Sequence, residues 1–317
     1  MRVLPYSFDT PTIFEFPTRV SLSEVRASNS LVASTLPPGL VAVFAGATSG
    51  IAEATLKQFA KHTVRPRIYY VGEFEEASNR VAKDLKRINP EGEYIFVKAD
   101  LITIKTADEV CKNIKDKEDT LNLLFLTMGV GDSFAEYTMS LIPHSRACFM
   151  HNLLPLLQAS SSFRRFVTVF YDTQKDQIAT SDLQGRNNLL RGHPATLMTL
   201  SLATTTAPEV SLVNCFSDRL RRKTKPNATG LMRVKRVIDL LLYKPIVEPG
   251  ACYLFLATSA RYPASVGEAG VAGVPADSTA TGTDTGVVGG VYTINLDAEA
   301  EGVRVARFLA KKKMVAL

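Results

Sequence analysis

A glycine-containing turn between an apolar run and an amphipathic helix constrains this chain more than any other feature. The run Leu40–Ala45 is continuously apolar, as expected for a strand buried on both faces of a parallel sheet. Gly46, Gly50 and Ala52 then follow in the spacing G-x-x-x-G-x-A. Small residues let the backbone turn tightly and approach a pyrophosphate, whose charge the helix N-terminus stabilises. The segment predicts a nucleotide-binding βα turn, and a tight turn that binds nothing is the alternative.

Strand-like and helix-like patterns alternate along the rest of the chain. Strands are predicted at Val41–Ala45, Arg67–Val71, Tyr94–Lys98, Leu121–Thr127, Phe166–Phe170, Ser211–Phe216 and Gly290–Ile294. Helices are predicted at Ala52–Lys61, Glu75–Asn89, Thr106–Lys117, Ser145–Ser160, Thr196–Thr204 and Met232–Leu242, with helical periodicity also in Ser21–Ser34. This order is typical of α/β proteins. It predicts a Rossmann-like, doubly wound parallel sheet of six to seven strands with helices on both faces.

The chain is expected to form one large domain preceded by an arm. It has 317 residues, of which 46% are hydrophobic, enough for a substantial core. Residues 1–20 are rich in proline and aromatics and are predicted to be an N-terminal arm, and 21–317 a single domain. Tyr262–Gly290 is rich in Gly, Ala, Thr and Ser without periodicity, so residues 262–290 are predicted to be a flexible, exposed or partly disordered loop.

Composition argues against several classes of function. No apolar stretch reaches the length of a membrane helix, and prolines with Asp9 and Glu15 interrupt any signal-peptide core. A cytoplasmic protein is therefore expected. The net charge is +6, but no aromatic residues alternate with the basic ones, so no nucleic-acid or membrane partner is predicted. The four cysteines lack metal or redox spacing, which predicts buried free thiols and no metal.

Several phrases resemble the short-chain dehydrogenase/reductase (SDR) superfamily. The glycine turn and the strand order resemble the superfamily as a whole. Phrases resembling a fungal subgroup common in secondary-metabolite gene clusters are STLPPGLVAVFAGATSGI, NPEGEYIFVKADL, LNLLFL, HNLLPLLQ, SLATTTAPEVSLVN and YLFLATSARYP. The resemblance extends from about Leu22 to the C-terminus. It implies the Rossmann-like fold and a hydrophobic biosynthetic intermediate as the small-molecule partner. Because members often pair through helices, a homodimer is one option that the sequence leaves open.

The resemblance weakens toward the residues that perform chemistry in the family. The N-N-A-G turn after the fourth strand reads Leu126-Thr127-Met128-Gly129, and the tyrosine-to-lysine spacing reads His193-Pro194-Ala195-Thr196-Leu197. The supporting serine is replaced by Tyr171-Asp172-Thr173, and Leu141–Ser145 contains no asparagine. Ser217-Asp218 stands where relatives have P-G, and their tyrosine pair near Pro143-His144 is gone. Together these departures predict a degenerate catalytic tetrad.

The residues expected to bind a cofactor match the family better than the tetrad does, although the sequence argues against a firm requirement for a cofactor. Residues of the turn and helix start, Ser49, Gly50 and Ile51, join Gly46 as candidate cofactor-binding residues. The resemblance assigns Asp100 to the adenine ring, with the capping of a βα turn as the alternative. Glu73 stands where NADPH-dependent relatives often carry arginine, so it is expected to repel a 2′-phosphate and to suit the ribose diol of NAD. The sequence predicts that no cofactor is required and that any NAD(P) site is weak or vestigial.

Candidate reactive residues lie beyond the predicted strand ends, where doubly wound sheets bind ligands. His193 is the first candidate for a general acid or base, with Tyr171 or Asp172 orienting it, and His144 is a weaker candidate. The alternative for each histidine is an ordinary surface or core residue. The residues predicted to line the substrate pocket are Thr127, Met128, Asp132, Phe134 and Asp218.

Three functions are consistent with a preserved nucleotide turn and a degenerate tetrad. The first is an SDR-fold enzyme repurposed for a non-redox cyclisation, isomerisation or pericyclic reaction, which needs a shaped pocket but no tetrad. The second is an NAD(P)H-dependent ketoreductase with a rearranged proton donor. The third is a non-catalytic partner protein. The departures from the tetrad favour the first.

Overall fold

The structure is a computed structural model in which residues 20–101, 103–128, 136–171, 207–217, 247–267, 270–271, 279–280, 282 and 290–294 are described. In 136–143, 171, 216–217 and 247–248 only the backbone is described. Element numbers below refer to these residues. The predictions that concern residues 1–19, Thr196–Thr204 and Met232–Leu242 lie outside them.

Seven parallel strands form a single sheet in the order β3-β2-β1-β4-β5-β6-β7. Their bounds are β1 Val41–Ala45, β2 Arg67–Gly72, β3 Glu93–Lys98, β4 Leu123–Leu126, β5 Arg165–Tyr171, β6 Ser211–Ser217 and β7 Val291–Ile294. Every pair of neighbours is parallel. The predicted strand number and direction are confirmed, because each predicted strand is a nearly continuous apolar run suited to burial on both faces.

The described helices are α1 Leu22–Ser30, α2 Val32–Thr35, α3 Gly50–His62, α4 Glu75–Ile88, α5 Ile104–Lys115, α6 Glu136–Ala159 and α7 Val247–Thr258. The predicted Ser21–Ser34 helix is divided at Leu31, and Ser21 caps its first part through the backbone amide of Glu24. Most of the other bounds differ from prediction by one or two residues, as expected where caps decide the ends.

Helices cover both faces of the sheet, as predicted for a doubly wound fold. One apolar core joins β-strand residues such as Phe44 and Phe125 to α1, α3, α4 and α7. The other joins the opposite side chains of the same strands, such as Val43 and Leu124, to α5 and α6. The chain therefore changes face between β1 and β4, which are neighbours in the sheet.

Two helices differ from the sequence prediction, and in both a proline is the reason. Proline disfavours a helix interior, so the sequence predicts that α6 starts at Ser145, after Pro143. The helical backbone instead begins at Glu136 and passes through Pro143. No helix is predicted at α7, whose strongly apolar sequence contains Pro249 and Gly250 in its first turn. Proline is tolerated in a first turn.

Gly250 explains why α7 packs so closely against α3. A Cβ at this position would lie 2.8 Å from the backbone carbonyl carbon of Ala54. Hydrogen bonding also holds α7 to α1, since the Asn29 side-chain amide donates to the Ala251 carbonyl at 2.9 Å.

Part of the segment predicted to be an exposed loop is buried. Tyr262 and Val271 are inaccessible to solvent, and the Tyr262 ring packs edge-on against Phe255 and Tyr292. The aromatic contacts are not visible in the sequence, because Phe255 and Tyr292 belong to α7 and β7.

All four cysteines are free thiols, as predicted, but Cys148 and Cys252 are only partly buried, contrary to the prediction. Cys111 and Cys215 are buried, and burial raises the pKa of both thiols. Among the described helices, including the 24 residues of α6, none combines the length and apolarity needed to cross a membrane.

Candidate active site

The topology creates a crevice between the carboxyl ends of β1 and β4. Their crossover connections leave on opposite faces of the sheet, and ligands of doubly wound proteins bind at such a switch point. The Gly46 turn follows β1, and Thr127 and Met128 follow β4. The structure thus brings the predicted nucleotide turn and two predicted pocket residues together.

Gly46 has a conformation and surroundings that exclude a side chain. Its φ is +83°, and a Cβ would lie 3.0 Å from both the Met128 backbone nitrogen and the Thr127 hydroxyl oxygen. The amides of Gly46 and Ala47 donate to the Val71 carbonyl at 3.0 and 3.2 Å. The turn is therefore pressed against β4 on one side and bonded to β2 on the other.

The N-terminus of α3 opens toward the same edge. Gly50 begins the helix with a φ of +63°, and Ser49, the N-cap, is exposed. Within the described part of the chain, the Ser49 side chain makes no capping hydrogen bond. Ile51 is buried and anchors the first turn in the core. A helix start of this kind presents amide hydrogens and a partial positive charge to an anion.

A charged network that the sequence analysis missed supports this turn from the side. Arg80 of α4 forms a bidentate pair with Glu53 of α3 and donates to the Thr48 carbonyl at 3.1 Å. Lys57 bridges Glu53 and Asp84 at 2.6 and 2.7 Å. The spacing of Glu53 and Lys57 is an i,i+4 signal, but only the packing of α4 on α3 brings Arg80 to the turn.

The network sets the charge state of Glu53. Burial by itself raises the pKa of this carboxyl, but hydrogen bonds from Arg80 and Lys57 outweigh burial and lower it from 4.5. Glu53 is therefore neutralised by its partners rather than by protonation, and its charge does not oppose an anion at the helix N-terminus.

This ion network predicts a specific acid sensitivity. A carboxyl with a lowered pKa in the folded state stabilises the protein above its unfolded value of 4.5, and the contribution is lost as the pH falls through the folded pKa. We expect Glu53→Gln to be less stable than wild type near neutrality, with the difference shrinking between about pH 5 and about pH 3. Urea denaturation at several pH values measures the effect.

Glu75→Gln is the control for that experiment. Glu75 pairs with Lys98 at 3.2 Å, with both side chains more than half exposed, and exposed pairs contribute little to stability. Its pH profile should follow wild type. A Glu53→Gln profile parallel to wild type would contradict the role of the network.

Glu73 and Asp100 lie at the carboxyl ends of neighbouring strands. Gly72 of β2 is in register with Lys98 of β3, and both Glu73 and Asp100 are exposed. Gly72 allows the Thr48 side chain to lie against the end of β2, since a Cβ there would collide with it. The predicted cofactor residues thus share one edge of the sheet.

The predicted pocket and catalytic residues are placed only in part. Thr127 and Met128 are buried, and the Thr127 hydroxyl donates to the Ala45 carbonyl at 3.2 Å. They form the floor of the crevice. The His144 side chain is exposed on α6, and the backbone of Tyr171 ends β5. Asp132, Phe134, Asp172, His193 and Asp218 lie outside the described residues, and their roles stay predictions.

Arg146 is the residue at this edge that sequence reasoning missed altogether. The side chain is fully buried, donates to the Thr168 hydroxyl at 2.6 Å and to the Met128 carbonyl at 2.7 Å, and lies 3.9 Å above the Phe170 ring. One arginine in an amphipathic helix is indistinguishable in the sequence from a solvated one.

Comparison with known proteins decides the family. A model described as short chain dehydrogenase matches residues 40–177. The chain is 32% identical over 298 residues to oxidoreductase andH of Emericella variicolor, a match that covers 87% of this chain and 88% of that protein. The chain belongs to the SDR superfamily. This SDR is also 32% identical to an oxidoreductase of Emericella nidulans, over 78% of this chain and 80% of that one.

Solved structures agree on the fold. L-sorbose reductase from Gluconobacter frateurii, complexed with NADPH and L-sorbose, matches with a TM-score of 0.53 and 16% identity, covering 70% of this SDR and 90% of that chain. RhlG of Pseudomonas aeruginosa, an NADP active-site complex, matches with a TM-score of 0.55 and 16% identity, covering 84% and 98%.

The comparisons correct the prediction that no cofactor is required. Solved proteins with this fold hold NADPH or NADP, which points to nucleotide use. The prediction was wrong because it gave the departures at the tetrad and at Ser217-Asp218 more weight than the nucleotide turn. The turn depends on Gly46, Gly50 and the start of α3, and those features are intact.

Proposed function

We propose that this SDR is an NAD(H)-dependent oxidoreductase that interconverts a carbonyl and an alcohol on a hydrophobic biosynthetic intermediate. The observation that carries the proposal is the Gly46 turn, where a positive φ and the 3.0 Å approach to Met128 leave no room for a side chain. A tight turn that binds nothing does not require such an approach beside an open helix N-terminus. The printed names of both Emericella relatives, oxidoreductases, support the same class of reaction.

Different residues of the crevice would hold different parts of the nucleotide. The turn and α3 would hold the pyrophosphate, and Glu73 would accept hydrogen bonds from the adenosine ribose diol. Reduced nicotinamide, when bound, supplies a hydride, and a proton from a side chain or solvent completes the two-hydrogen gain of the product. Thr127 and Met128 form the buried floor that excludes water on the β4 side.

The preference for NAD(H) over NADP(H) rests on charge. Glu73 is exposed just before α4, whose first turn adds Glu75 and Glu76. Lys98 pairs with Glu75 at 3.2 Å, and Arg80 is engaged by Glu53. A 2′-phosphate would therefore approach a carboxylate, and like charges in close proximity repel.

Calorimetric titration with NADH and NADPH tests the proposal. We expect wild type to bind NADH at least ~10-fold more tightly than NADPH, equivalent to about 1.4 kcal/mol. Glu73→Arg should reverse the preference, because a guanidinium pairs with a phosphate. Glu91→Arg, which makes the same charge change before the amino end of β3, is the matched control and should leave the ratio unchanged.

Two outcomes would contradict the proposal. Absence of binding of either nucleotide to the folded wild type would remove the cofactor. Incubation of candidate intermediates with NADH, analysed by mass spectrometry, should give a product heavier by two hydrogens. A product of unchanged mass, formed equally fast without nucleotide, would favour the non-redox cyclisation or isomerisation.

A further inference from the structure

Among the described residues, two arginines are fully buried, Arg165 at the amino ends of the strands and Arg146 toward their carboxyl ends. Burying a guanidinium is unfavourable unless its donors are satisfied, so each position needs an explanation. Arg165 begins β5 at the amino edge. It donates to the carbonyls of Leu256 and Ser259 at 2.9 and 3.0 Å, at the C-terminal end of α7. A cation there stabilises the helix end, and this structural role accounts for Arg165.

Arg146 lies toward the carboxyl ends of the strands, where the crevice opens. Its hydrogen bonds join the Met128 carbonyl, just after β4, to the Thr168 hydroxyl within β5. Phe170 packs under the guanidinium plane at 3.9 Å, so the fork has one available orientation. Charge-assisted donation to a carbonyl is stronger than a neutral hydrogen bond. Arg146 therefore ties the segment after β4 to the neighbouring strand β5.

The same segment contacts the nucleotide turn. The Met128 backbone nitrogen lies 3.0 Å from the position of a Cβ on Gly46, and the Met128 carbonyl accepts the bond from Arg146. A line of direct contacts thus runs from the turn, through Met128, to Arg146 and Thr168. Glu73 is farther from Arg146 than the turn is, since it follows β2, which lies on the other side of β1 from β4.

We propose that Arg146 is a positioning residue for the nicotinamide half of the nucleotide. The inference rests on the proposed function. A dinucleotide straddles the switch point of a doubly wound sheet, so the half held by Gly46, Glu73 and Asp100 lies over β1 to β3. The other half lies over β4 and β5, on the floor whose Met128 carbonyl Arg146 holds. Arg146 acts through that floor, since its own side chain is buried.

Two ligands distinguish the contributions of the two halves of the nucleotide in a binding experiment. NADH contains both halves, whereas ADP-ribose lacks nicotinamide. In calorimetric titrations, we expect Arg146→Met to weaken NADH ~10-fold and to change ADP-ribose by less than ~3-fold. Arg146→Lys keeps the charge but lacks the fork, and it should fall between Arg146→Met and wild type. Thr168→Val, which removes one acceptor, should weaken NADH in the same direction.

Arg165→Met is the matched control, because it removes a guanidinium that is as fully buried as that of Arg146 but lies at the amino ends of the strands. It should lower thermal stability without changing the ratio of NADH to ADP-ribose affinity in the folded protein. Equal weakening of both ligands by Arg146→Met and Arg146→Lys, or no weakening by either, would overturn the positioning role and leave the proposed function standing. If Arg146→Met does not fold, Arg146→Lys and Thr168→Val decide by the same ratio. Failure of the folded wild type to bind NADH would instead refute the proposed function.

Discussion

Gly46→Val is expected to lower the affinity for NADH at least ~100-fold, equivalent to about 2.7 kcal/mol. A β-branched residue at a φ of +83° is strained, and its Cβ would also press on Met128 and Thr127 from 3.0 Å. The turn can relieve the backbone strain and the close contact only by moving away from β4. This movement displaces the start of α3 from the phosphate. Titration of the folded variant with NADH measures the loss.

Gly39→Val distinguishes the effect of backbone strain from the effect of a Cβ pressing on neighbouring residues. Gly39 has a similar φ of +78°, but a Cβ there meets nothing within 4 Å. It lies before β1, at the amino edge. This variant should lose some stability through backbone strain and retain wild-type affinity for NADH. Wild-type affinity in Gly46→Val would show that the nucleotide is not held on this turn.

Phe44→Ala is expected to destabilise the protein by about 3–5 kcal/mol, the range for truncating a buried phenylalanine. Phe44 lies in β1 with no solvent exposure. Its ring contacts Phe59 of α3 at 5.6 Å and Phe125 of β4 at 5.3 Å between centroids. The cavity would therefore open between the sheet and the helix that carries the nucleotide turn. Chemical denaturation gives the change in the free energy of unfolding.

Phe74→Ala is the matched control, since the Phe74 side chain is 63% exposed. Its effect should stay within about 0.5 kcal/mol, as for most surface substitutions. A loss in Phe44→Ala no larger than that of Phe74→Ala would mean that the β1–α3 core is not cooperative with the rest of the sheet.

The parts of the site that the sequence predicted are local in the chain. The β1 strand, the Gly46 turn and the start of α3 occupy one continuous stretch, and each residue type there has a direct backbone consequence. Apolar runs predict buried strands, and glycines predict the positive φ that the structure contains. Glu73 and Asp100 came from the resemblance to the SDR superfamily, and the structure places both at the carboxyl ends of neighbouring strands.

The tertiary structure decided which charged residues belong to the site. Arg80 contacts Glu53, which is 27 residues away in the sequence, and Arg146 contacts Thr168, which is 22 residues away. In the sequence both arginines look like ordinary residues on the polar face of a helix. Their burial and partners depend on how α4 and α6 pack against the sheet.

The sequence by itself determined the parallel sheet and the glycine turn between β1 and α3, because hydrophobic periodicity and backbone freedom are properties of neighbouring residues. Only the tertiary structure decided that Pro143 lies within α6, that Tyr262 is buried, and that a guanidinium lies beneath the floor of the crevice. In each case contacts between distant segments decide the outcome. Apolar packing favours the burial of Tyr262, and hydrogen bonds to Thr168 and Met128 offset the cost of burying the Arg146 guanidinium.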